Sequence, residues 1–243
     1  MLTFLDKPVG WYLAYFTIPR EEQDEDLWKW YHAPGGLCVH MRPHRNKKTM
    51  GVYLSIVYPK KEHIPEMDEL LTKGAEQQRE HLRARFKNVG WQIDRFLKGM
   101  DQAHDFYMNQ WARVVVPQWT KGRCGLVGDT AHAIMGIGTS FAMIGAYIVA
   151  GELAKVKSND SIEIAAALTR YEEIFRPLVE KHQNRSMLGF PQLANPQTEW
   201  GITIFHAVVK FVYWTRFDKL MAGLGESDGK GWVLPDYEYK KTS

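Results

Sequence analysis

The most constraining feature of this sequence is an apolar run, 124–127, that ends in Gly128-Asp129. The run has the composition of a buried β-strand, and a short loop with Gly136 and Gly138 leads from it into a small-residue helix pattern. An acid at the carboxyl end of a strand can accept hydrogen bonds from a polyol, and a glycine beside it lets a ligand approach the backbone. Glycines that open a helix leave its unpaired N–H groups facing outward, where they favour an oxyanion or an electron-rich ring. The pattern therefore predicts a ligand site made of a strand, a loop and a helix N-terminus.

Apolar periodicity predicts a sheet before this motif and helices on both sides of it. In the run 49–58, alternate residues from Met50 to Tyr58 point one way, which is typical of a strand with one covered face. Strands are predicted at 10–18, 27–32, 37–41, 49–58, 112–116 and 124–127, and helices from Pro65 to about Lys87 and at 91–100, 139–156, 161–183 and 199–223. The predicted fold class is α+β, with a mixed or antiparallel sheet and covering helices, then the strand–loop–helix motif, then a helical carboxyl end.

The segment 122–155 resembles the flavin-contacting strand, loop and helix of FAD-dependent aromatic hydroxylases related to p-hydroxybenzoate hydroxylase and the tetracycline-modifying monooxygenases. The residues that carry the resemblance are Arg123–His132 and the helix Ser140–Leu153. It implies that Asp129 holds the ribityl hydroxyls of FAD and that the helix N-terminus faces the pyrimidine edge of the flavin. The implied cofactor-binding residues are Gly128, Asp129, Gly136, Ile137, Gly138 and Thr139.

The upstream strands resemble the substrate-domain sheet of the same family, through Tyr15–Pro19, His32–Gly36 and Met41–Pro43. The sequence is therefore divided into a substrate-binding-like part, a flavin-binding remnant and a helical carboxyl segment, at 1–118, 119–186 and 187–243. Arg42 and Tyr53 are candidates for substrate binding, although an exposed strand arginine is the more ordinary interpretation of Arg42. The aromatic residues Trp28, Trp30, Tyr53 and Trp111 fit either a pocket lining or simple core packing. No catalytic residue is assigned.

The resemblance implies hydroxylation or epoxidation of an aromatic or polyketide-like small molecule, with FAD as cofactor, NAD(P)H as reductant and dioxygen. Two departures from the family pattern qualify this expectation. No Gly-x-Gly-x-x-Gly follows a strand, and only residues 133–135 separate His132 from Gly136, where the family has a longer loop with proline. We therefore expect a truncated protein that lacks the amino-terminal dinucleotide fold. If it acts as such an enzyme, either it takes the missing half from a partner chain or the sequence starts too late. The alternatives are a flavin-independent isomerase or cyclase that uses the same pocket, and a non-catalytic remnant.

Charge and cysteine content narrow the other classes of function. The net charge is only +3, and lysines and arginines are interleaved with acids, which is typical of solvated helix faces and does not favour nucleic-acid binding. Cys38 and Cys124 lie far apart in the sequence, so we do not expect a disulfide. We expect instead a reducing, cytoplasmic compartment. His40 and His44 have the spacing of a helical metal pair, but Pro43 breaks any helix there, and no metal site is predicted.

Two further expectations concern His132 and the carboxyl-terminal apolar run. His132 is expected to anchor the motif loop by a hydrogen bond. The run 202–214 is apolar apart from His206 and Lys210, so buried packing is its default interpretation. An interfacial helix that associates with a membrane surface through 200–220 is the alternative, because aromatic and basic residues suit a headgroup region.

Overall fold

The computed structural model describes residues 5–60, 63–134, 136–186, 190–216 and 232–237. The chain forms two compact units, and each unit is assembled from separate stretches of sequence. A sheet unit comprises residues 8–111 and 189–215, and a motif unit comprises 1–7, 112–188 and 216–243. The functional division at 118 and 186 inferred from the sequence stays a prediction.

The sheet unit is built on a five-stranded sheet with the order β2-β3-β4-β1-β5. Its strands are β1 (Leu5–Pro19), β2 (Lys29–Ala33), β3 (Leu37–Pro43), β4 (Thr49–Val57) and β5 (Tyr107–Val115). The pairs β1/β4, β2/β3 and β3/β4 are antiparallel, as the α+β prediction requires. In such a twisted sheet, successive side chains of each strand point to opposite sides, so the sheet has two distinct faces.

Three helices cover one face of this sheet: α1 (Pro65–Thr72), α2 (Ala75–Phe86) and α3 (Ile93–Gln102). The alternation predicted for β4 is confirmed, since Met50, Val52, Leu54 and Ile56 all lie in the core beneath these helices. Burial of each large apolar side chain contributes roughly 1.5–3 kcal/mol, so this face holds the unit together.

The helix predicted from Pro65 to about Lys87 is in fact two helices, and that prediction was wrong. Lys73 and Gly74 are extended, and Gly74 is the N-cap of α2. The side-chain amide of Gln78 donates to the carbonyls of Leu70, Leu71 and Lys73 at 3.1–3.4 Å. These bonds satisfy carbonyls that the end of α1 leaves open, so the break is stable.

The motif unit contains a two-stranded ribbon, β6 (Thr120–Lys121) with β7 (Cys124–Gly125), followed by α4 (Asp129–His132), α5 (Gly138–Ala154) and α6 (Ser161–Ser186). The predicted buried strand 124–127 is wrong, because only two of its residues are in a strand and both are exposed. Among the described residues, that strand pairs only with β6, so no sheet neighbour buries it. The predicted helix 139–156 is confirmed as α5.

Small residues on α5 allow close packing within the motif unit. A Cβ on Gly145 would lie 3.0 Å from the Phe175 ring of α6, and a Cβ on Gly151 would lie 2.3 Å from the Tyr237 ring. The Tyr237 hydroxyl also donates to Glu152 Oε1 at 2.8 Å. Although burial acts to raise the pKa of Glu152, hydrogen bonds from Lys155, Arg170 and Tyr237 hold it below its ordinary value. The segment 232–237 is therefore fastened to α5.

The sheet unit ends with α7 (Phe190–Ala194) and α8 (Glu199–Thr215). The default prediction of buried packing for 202–214 was wrong, because α8 has no buried residue and only a narrow stripe of it, including Phe205 beside His32, is even partly covered. The helix ends at Thr215, where Arg216 has a φ of +53°, and the predicted continuation to Gly223 lies outside the described residues. None of the helices in the described part of the chain has both the length and the apolarity needed to cross a bilayer.

Candidate functional site

The turn at Gly128-Asp129 has a backbone conformation that requires glycine. Gly128 has a φ of +71°, which L side chains rarely adopt, and its carbonyl accepts hydrogen bonds from the N–H groups of Ala131 and His132 at 2.9 Å. The turn therefore leads directly into α4 and leaves the Asp129 side chain exposed to solvent.

Asp129 lies beside the N-terminus of α5. A Cβ on Gly138 would be 3.3 Å from Asp129 Oδ1, so the absence of a side chain at Gly138 makes room for this carboxylate. The N-cap residue Ile137 makes no side-chain cap, and the first turn of α5 contains no acid. The free N–H groups of that turn and the positive end of the helix dipole stabilise a nearby negative charge.

Open space surrounds the glycine loop in front of α5. Gly136 has a φ of +83°, and no heavy atom lies within 4 Å of the position its Cβ would take. Ile137 and Thr139 are exposed. The structure thus places Gly128 and Asp129 in one turn and residues 136–139 in a second, and it brings the exposed Asp129 beside Gly138 of the second turn.

Asp129 and the N-terminus of α5 together fit two parts of FAD, its ribityl chain and the edge of its flavin ring. The Asp129 carboxylate is an acceptor for ribityl hydroxyls, and the uncapped N-terminus of α5 suits the electron-rich edge of a flavin ring. A ligand can reach the backbone at Gly136 because nothing fills the space in front of it. The residues present therefore fit the ribityl chain and ring edge of the cofactor.

His132 does not anchor the loop by a hydrogen bond, and that prediction was wrong. The side chain is buried, and neither ring nitrogen has a hydrogen-bond partner among the described residues. The ring instead packs 5.1 Å from the centres of the Trp119 and Phe175 rings. Desolvation by burial lowers the pKa of His132, so the ring is neutral and holds α4 to the core of the motif unit by packing.

A continuous row of rings crosses the face of the sheet opposite α1–α3, and we call it the aromatic belt. Its members, in order across the sheet, are Tyr107, Tyr15, Tyr53, His40, Trp30 and Trp28. Their neighbouring ring centres are 5.4, 4.9, 6.1, 4.2 and 5.4 Å apart. Cross-strand register produces the row, because Tyr15 faces Tyr53 and Tyr53 faces His40.

Of the two interpretations of Trp28 and Trp30, pocket lining or core packing, the structure contradicts core packing. Trp28 is 53% exposed and Trp30 is 38% exposed, so both present ring surface to solvent. Trp111 is not part of the belt and packs against Trp11, with ring centres 4.6 Å apart. Neighbouring rings of the belt are tilted by 37–60° to each other, and the exposed ring surfaces at its two ends suit an aromatic ligand.

The two predicted substrate-binding residues lie on the same face as the belt. Tyr53 is a belt residue, and Arg42 extends over the Trp28 ring with its guanidinium carbon 5.9 Å from the ring centre. Within the described chain, Arg42 has no carboxylate partner, so its charge is available to a ligand. Burial raises the pKa of Tyr53, and the nearby charge of Arg42 opposes that shift.

Sequence reasoning missed half of the belt. It did not assign Tyr15, Tyr107 and His40. These residues alternate along their strands with the residues of the core and so point to the opposite face, and this alternation could have identified them. It also missed the contact between His32 Nδ1 and His206 Nε2, at 3.1 Å. In the described residues no three His, Cys, Asp or Glu side chains are grouped to hold a metal ion.

Comparison with known proteins shows that this architecture is shared. No family model matches the chain. The chain is 32% identical over 239 residues to the monooxygenase CTB7 of Cercospora beticola, and the aligned residues cover 96% of this chain and 55% of that protein. It is 30% identical over 241 residues to the FAD-dependent monooxygenase asL6 of Sarocladium schorii, which covers 95% of this chain and 53% of that protein. The chain spans about half the length of the curated relatives it matches.

Solved structures give the same result. The chain superposes on the tetracycline destructase Tet(51) with a TM-score of 0.70 and 26% identity, over 97% of this chain and 57% of the other. A variant of Klebsiella pneumoniae HpxO complexed with FAD has the same fold, with a TM-score of 0.55 and 18% identity, over 77% of this chain and 47% of the other. The matched part of the relatives is their carboxyl-terminal half.

Proposed function

Because this chain is homologous to the carboxyl-terminal half of FAD-dependent monooxygenases, we propose that it supplies the substrate sheet and the flavin-ring contacts of such an enzyme. The proposed reaction is hydroxylation or epoxidation of an aromatic or polyketide-type small molecule. The observation that carries the proposal is the Asp129 carboxylate beside the uncapped, solvent-accessible N-terminus of α5.

The motif unit has the role of binding and orienting the cofactor. Asp129 accepts hydrogen bonds from the ribityl hydroxyls, and the backbone N–H groups from Gly138 to Ser140 stabilise negative charge at the ring edge. At Gly136, where no heavy atom lies within 4 Å of the position a Cβ would take, the absence of a side chain would leave room for the ring. Bound FAD supplies the redox chemistry that allows dioxygen to transfer one oxygen atom to an organic substrate, and NAD(P)H is its proposed reductant.

The sheet unit has the role of binding the substrate. A planar aromatic molecule stacks on the aromatic belt, and Arg42 pairs with an acidic or ionised hydroxyl group at the Trp28 end of the belt. Tyr53 offers a hydroxyl on a half-buried side chain in the middle of the belt. A site that binds by ring contacts and one positive charge selects planar anionic molecules. It discriminates little between ligands that differ only in shape and substituents.

The test is a titration of the purified chain with FAD and with riboflavin, followed by flavin fluorescence. We expect weak binding that is similar for the two ligands, because the residues that fit contact the ribityl chain and the ring edge, which both ligands possess. Asp129→Ala should weaken both by about tenfold or more, since a hydrogen bond to a charged group is worth roughly 1.5–3 kcal/mol.

Asp94→Ala, which removes an exposed aspartate of the sheet unit, is the control and should leave flavin binding unchanged. Equal affinity of the wild-type chain and Asp129→Ala for both flavins would contradict the proposed cofactor site. Turnover of a substrate without NAD(P)H and dioxygen would instead support the flavin-independent isomerase or cyclase.

A further inference from the structure

Two histidines meet where the carboxyl-terminal helix α8 lies against the edge of the sheet. His32 is on the edge strand β2 and His206 is on α8, 174 positions further along the chain, yet His32 Nδ1 is 3.1 Å from His206 Nε2. The two ring centres are 5.3 Å apart, and the Phe205 ring packs edge-on against His32 at 5.4 Å. Nitrogen atoms from two distant parts of the sequence therefore converge on one point.

The surroundings of His32 favour a neutral ring whose Nδ1 lone pair faces His206. Burial lowers the pKa of His32, and the backbone of Ala194 opposes that shift, so the Ala194 carbonyl lies near the ring. His32 Nε2 is buried and has no hydrogen-bond partner within the described residues. A proton on Nε2, on the side away from His206, leaves the Nδ1 lone pair free. A backbone carbonyl near the ring is a usual orienting group of a metal-binding histidine.

The separation of the two nitrogens matches that of two ligands on one metal ion. Zinc binds histidine nitrogen at about 2.0–2.1 Å, so two such nitrogens in a tetrahedral site are about 3.3 Å apart. The observed 3.1 Å differs from this by a few tenths of an ångström. His206 is exposed, so its ring has room for that movement, and water can reach the other coordination positions.

The chemistry of the two donors determines which ions suit the pair. Neutral imidazole suits Zn²⁺ and Cu²⁺, whereas Mg²⁺ prefers oxygen ligands. No acid occurs in 200–215, and Lys210 lies one turn beyond His206 on the same helix, so no carboxylate of α8 adds to the attraction. Binding should therefore be weaker than in a site with three or four protein ligands.

We propose that His32 and His206 bind one divalent transition-metal ion, Zn²⁺ or Cu²⁺, which fastens α8 to the edge strand. His32 Nδ1 and His206 Nε2 each donate a lone pair, each ring keeps its proton on its other nitrogen, and water completes the coordination shell. The attachment matters because α8 has no buried residue. Just before the helix, the Gln197 side chain donates to the Val57 carbonyl at 3.0 Å, and the ion adds a second anchor about two turns into α8.

The first test is a calorimetric titration of the tag-free chain with zinc chloride, copper chloride and magnesium chloride. We expect one Zn²⁺ per chain, tighter binding of Cu²⁺, and no binding of Mg²⁺ at this pair. His206→Gln should weaken Zn²⁺ binding by about tenfold or more, since even the loss of a group that only orients a ligand costs that much. His104→Gln, which removes an exposed histidine of the same unit, is the matched control and should leave the affinity unchanged.

Electron paramagnetic resonance of the Cu²⁺-loaded chain tests the identity of the ligands. The wild-type spectrum should show splitting from two imidazole nitrogens, and the spectra of His206→Gln and His32→Gln should each show the loss of one. An unchanged spectrum in both variants would place the ion elsewhere and contradict the site. Absence of Zn²⁺ and Cu²⁺ binding by the wild-type chain would show that the two rings are joined by a hydrogen bond alone.

Trypsin cleavage after Lys210 tests the anchoring role. Cleavage requires α8 to open, so Zn²⁺ at about ten times its Kd should slow it by up to about tenfold in the wild-type chain. A chelator should restore the original rate, and His206→Gln should be insensitive to Zn²⁺. If the ion binds to both histidines and the cleavage rate does not change, the anchoring role is wrong.

Discussion

At the scale of single residues, His132 shows how a polar side chain can act as a packing element. It is buried among aromatic rings, and its two nitrogens have no hydrogen-bond partner in the described part of the chain. Such a ring is tolerated only when it is neutral, because a charged imidazole without a partner is costly to bury. Protonation of His132, which lies next to Asp129 in the fold, should therefore destabilise the motif loop.

We expect stability to fall as the pH drops below about 6.5, the ordinary pKa of histidine. Burial lowers the pKa of His132 in the folded state, so the unfolded state binds more protons in this range and stability rises with pH. His132→Phe should reduce this dependence by up to ~1.4 kcal/mol per pH unit. Urea unfolding at several pH values measures how the free energy of unfolding changes with pH. Part of this dependence should remain in His132→Phe, because burial also lowers the pKa of His32 and lowers that of His40 to about 3.

The control for this measurement is His104→Gln, at an exposed position, which should keep the full pH dependence. A wild-type chain whose free energy of unfolding does not change between neutral and mildly acidic pH would contradict the packing role of the neutral imidazole.

Gly151 governs the attachment of the segment 232–237. Gly151→Ala places a methyl group 2.3 Å from a Tyr237 ring atom, so the ring must move and its hydrogen bond to Glu152 is lost. We expect a loss of about 1–3 kcal/mol in the free energy of unfolding, as for an overpacked core site, and faster proteolysis at 232–237. Ala150→Ser, at the exposed neighbouring position, should change neither measurement.

At the scale of elements, α8 stands out because its apolar residues face solvent. Trp200, Phe211, Tyr213 and Trp214 are 61–80% exposed, and no acid occurs in 200–215. The predicted association of 200–220 with a membrane surface is consistent with this composition and stays a prediction.

Co-sedimentation with vesicles tests that prediction. We expect the chain to bind phosphatidylserine-containing vesicles more tightly than purely zwitterionic ones, and Lys210→Gln should weaken binding to the former by roughly fivefold, or about 1 kcal/mol. Lys98→Gln, an exposed lysine of α3, should have no effect. Failure to sediment with either vesicle type would show that α8 is not an interfacial helix.

The elements that could be predicted from sequence are those whose pattern is local. Alternation placed the strand at 49–57, and small residues placed the helix at 138–154. The break at Gly74 could not be predicted, because it depends on Gln78 reaching three carbonyls of the preceding helix. The motif residues were predictable from sequence because they are close together in the chain, whereas the belt depends on register between five strands.

At the scale of the whole molecule, the proposed partner chain is open to a direct test. The part of the Cercospora beticola monooxygenase that this chain does not match is expressed separately and mixed with it. We expect the mixture to bind FAD more tightly than either polypeptide alone and to prefer FAD over riboflavin, because the second polypeptide adds contacts beyond the flavin ring. Asp129→Ala in this chain should weaken binding by the mixture, and binding equal to that of the separate polypeptides would contradict the partnership.

The two compact units are interleaved along the chain, with crossings near residues 7, 111, 188 and 215. No single cut in the gene can therefore separate one unit from the other. An exchange of the whole sheet unit between homologous genes requires four crossovers, one at each of these crossings, and a single crossover between residues 8 and 215 leaves both units hybrid. Diversification of ligand preference in such a chain must proceed mainly by point substitution on the sheet, and only rarely by exchange of a whole unit.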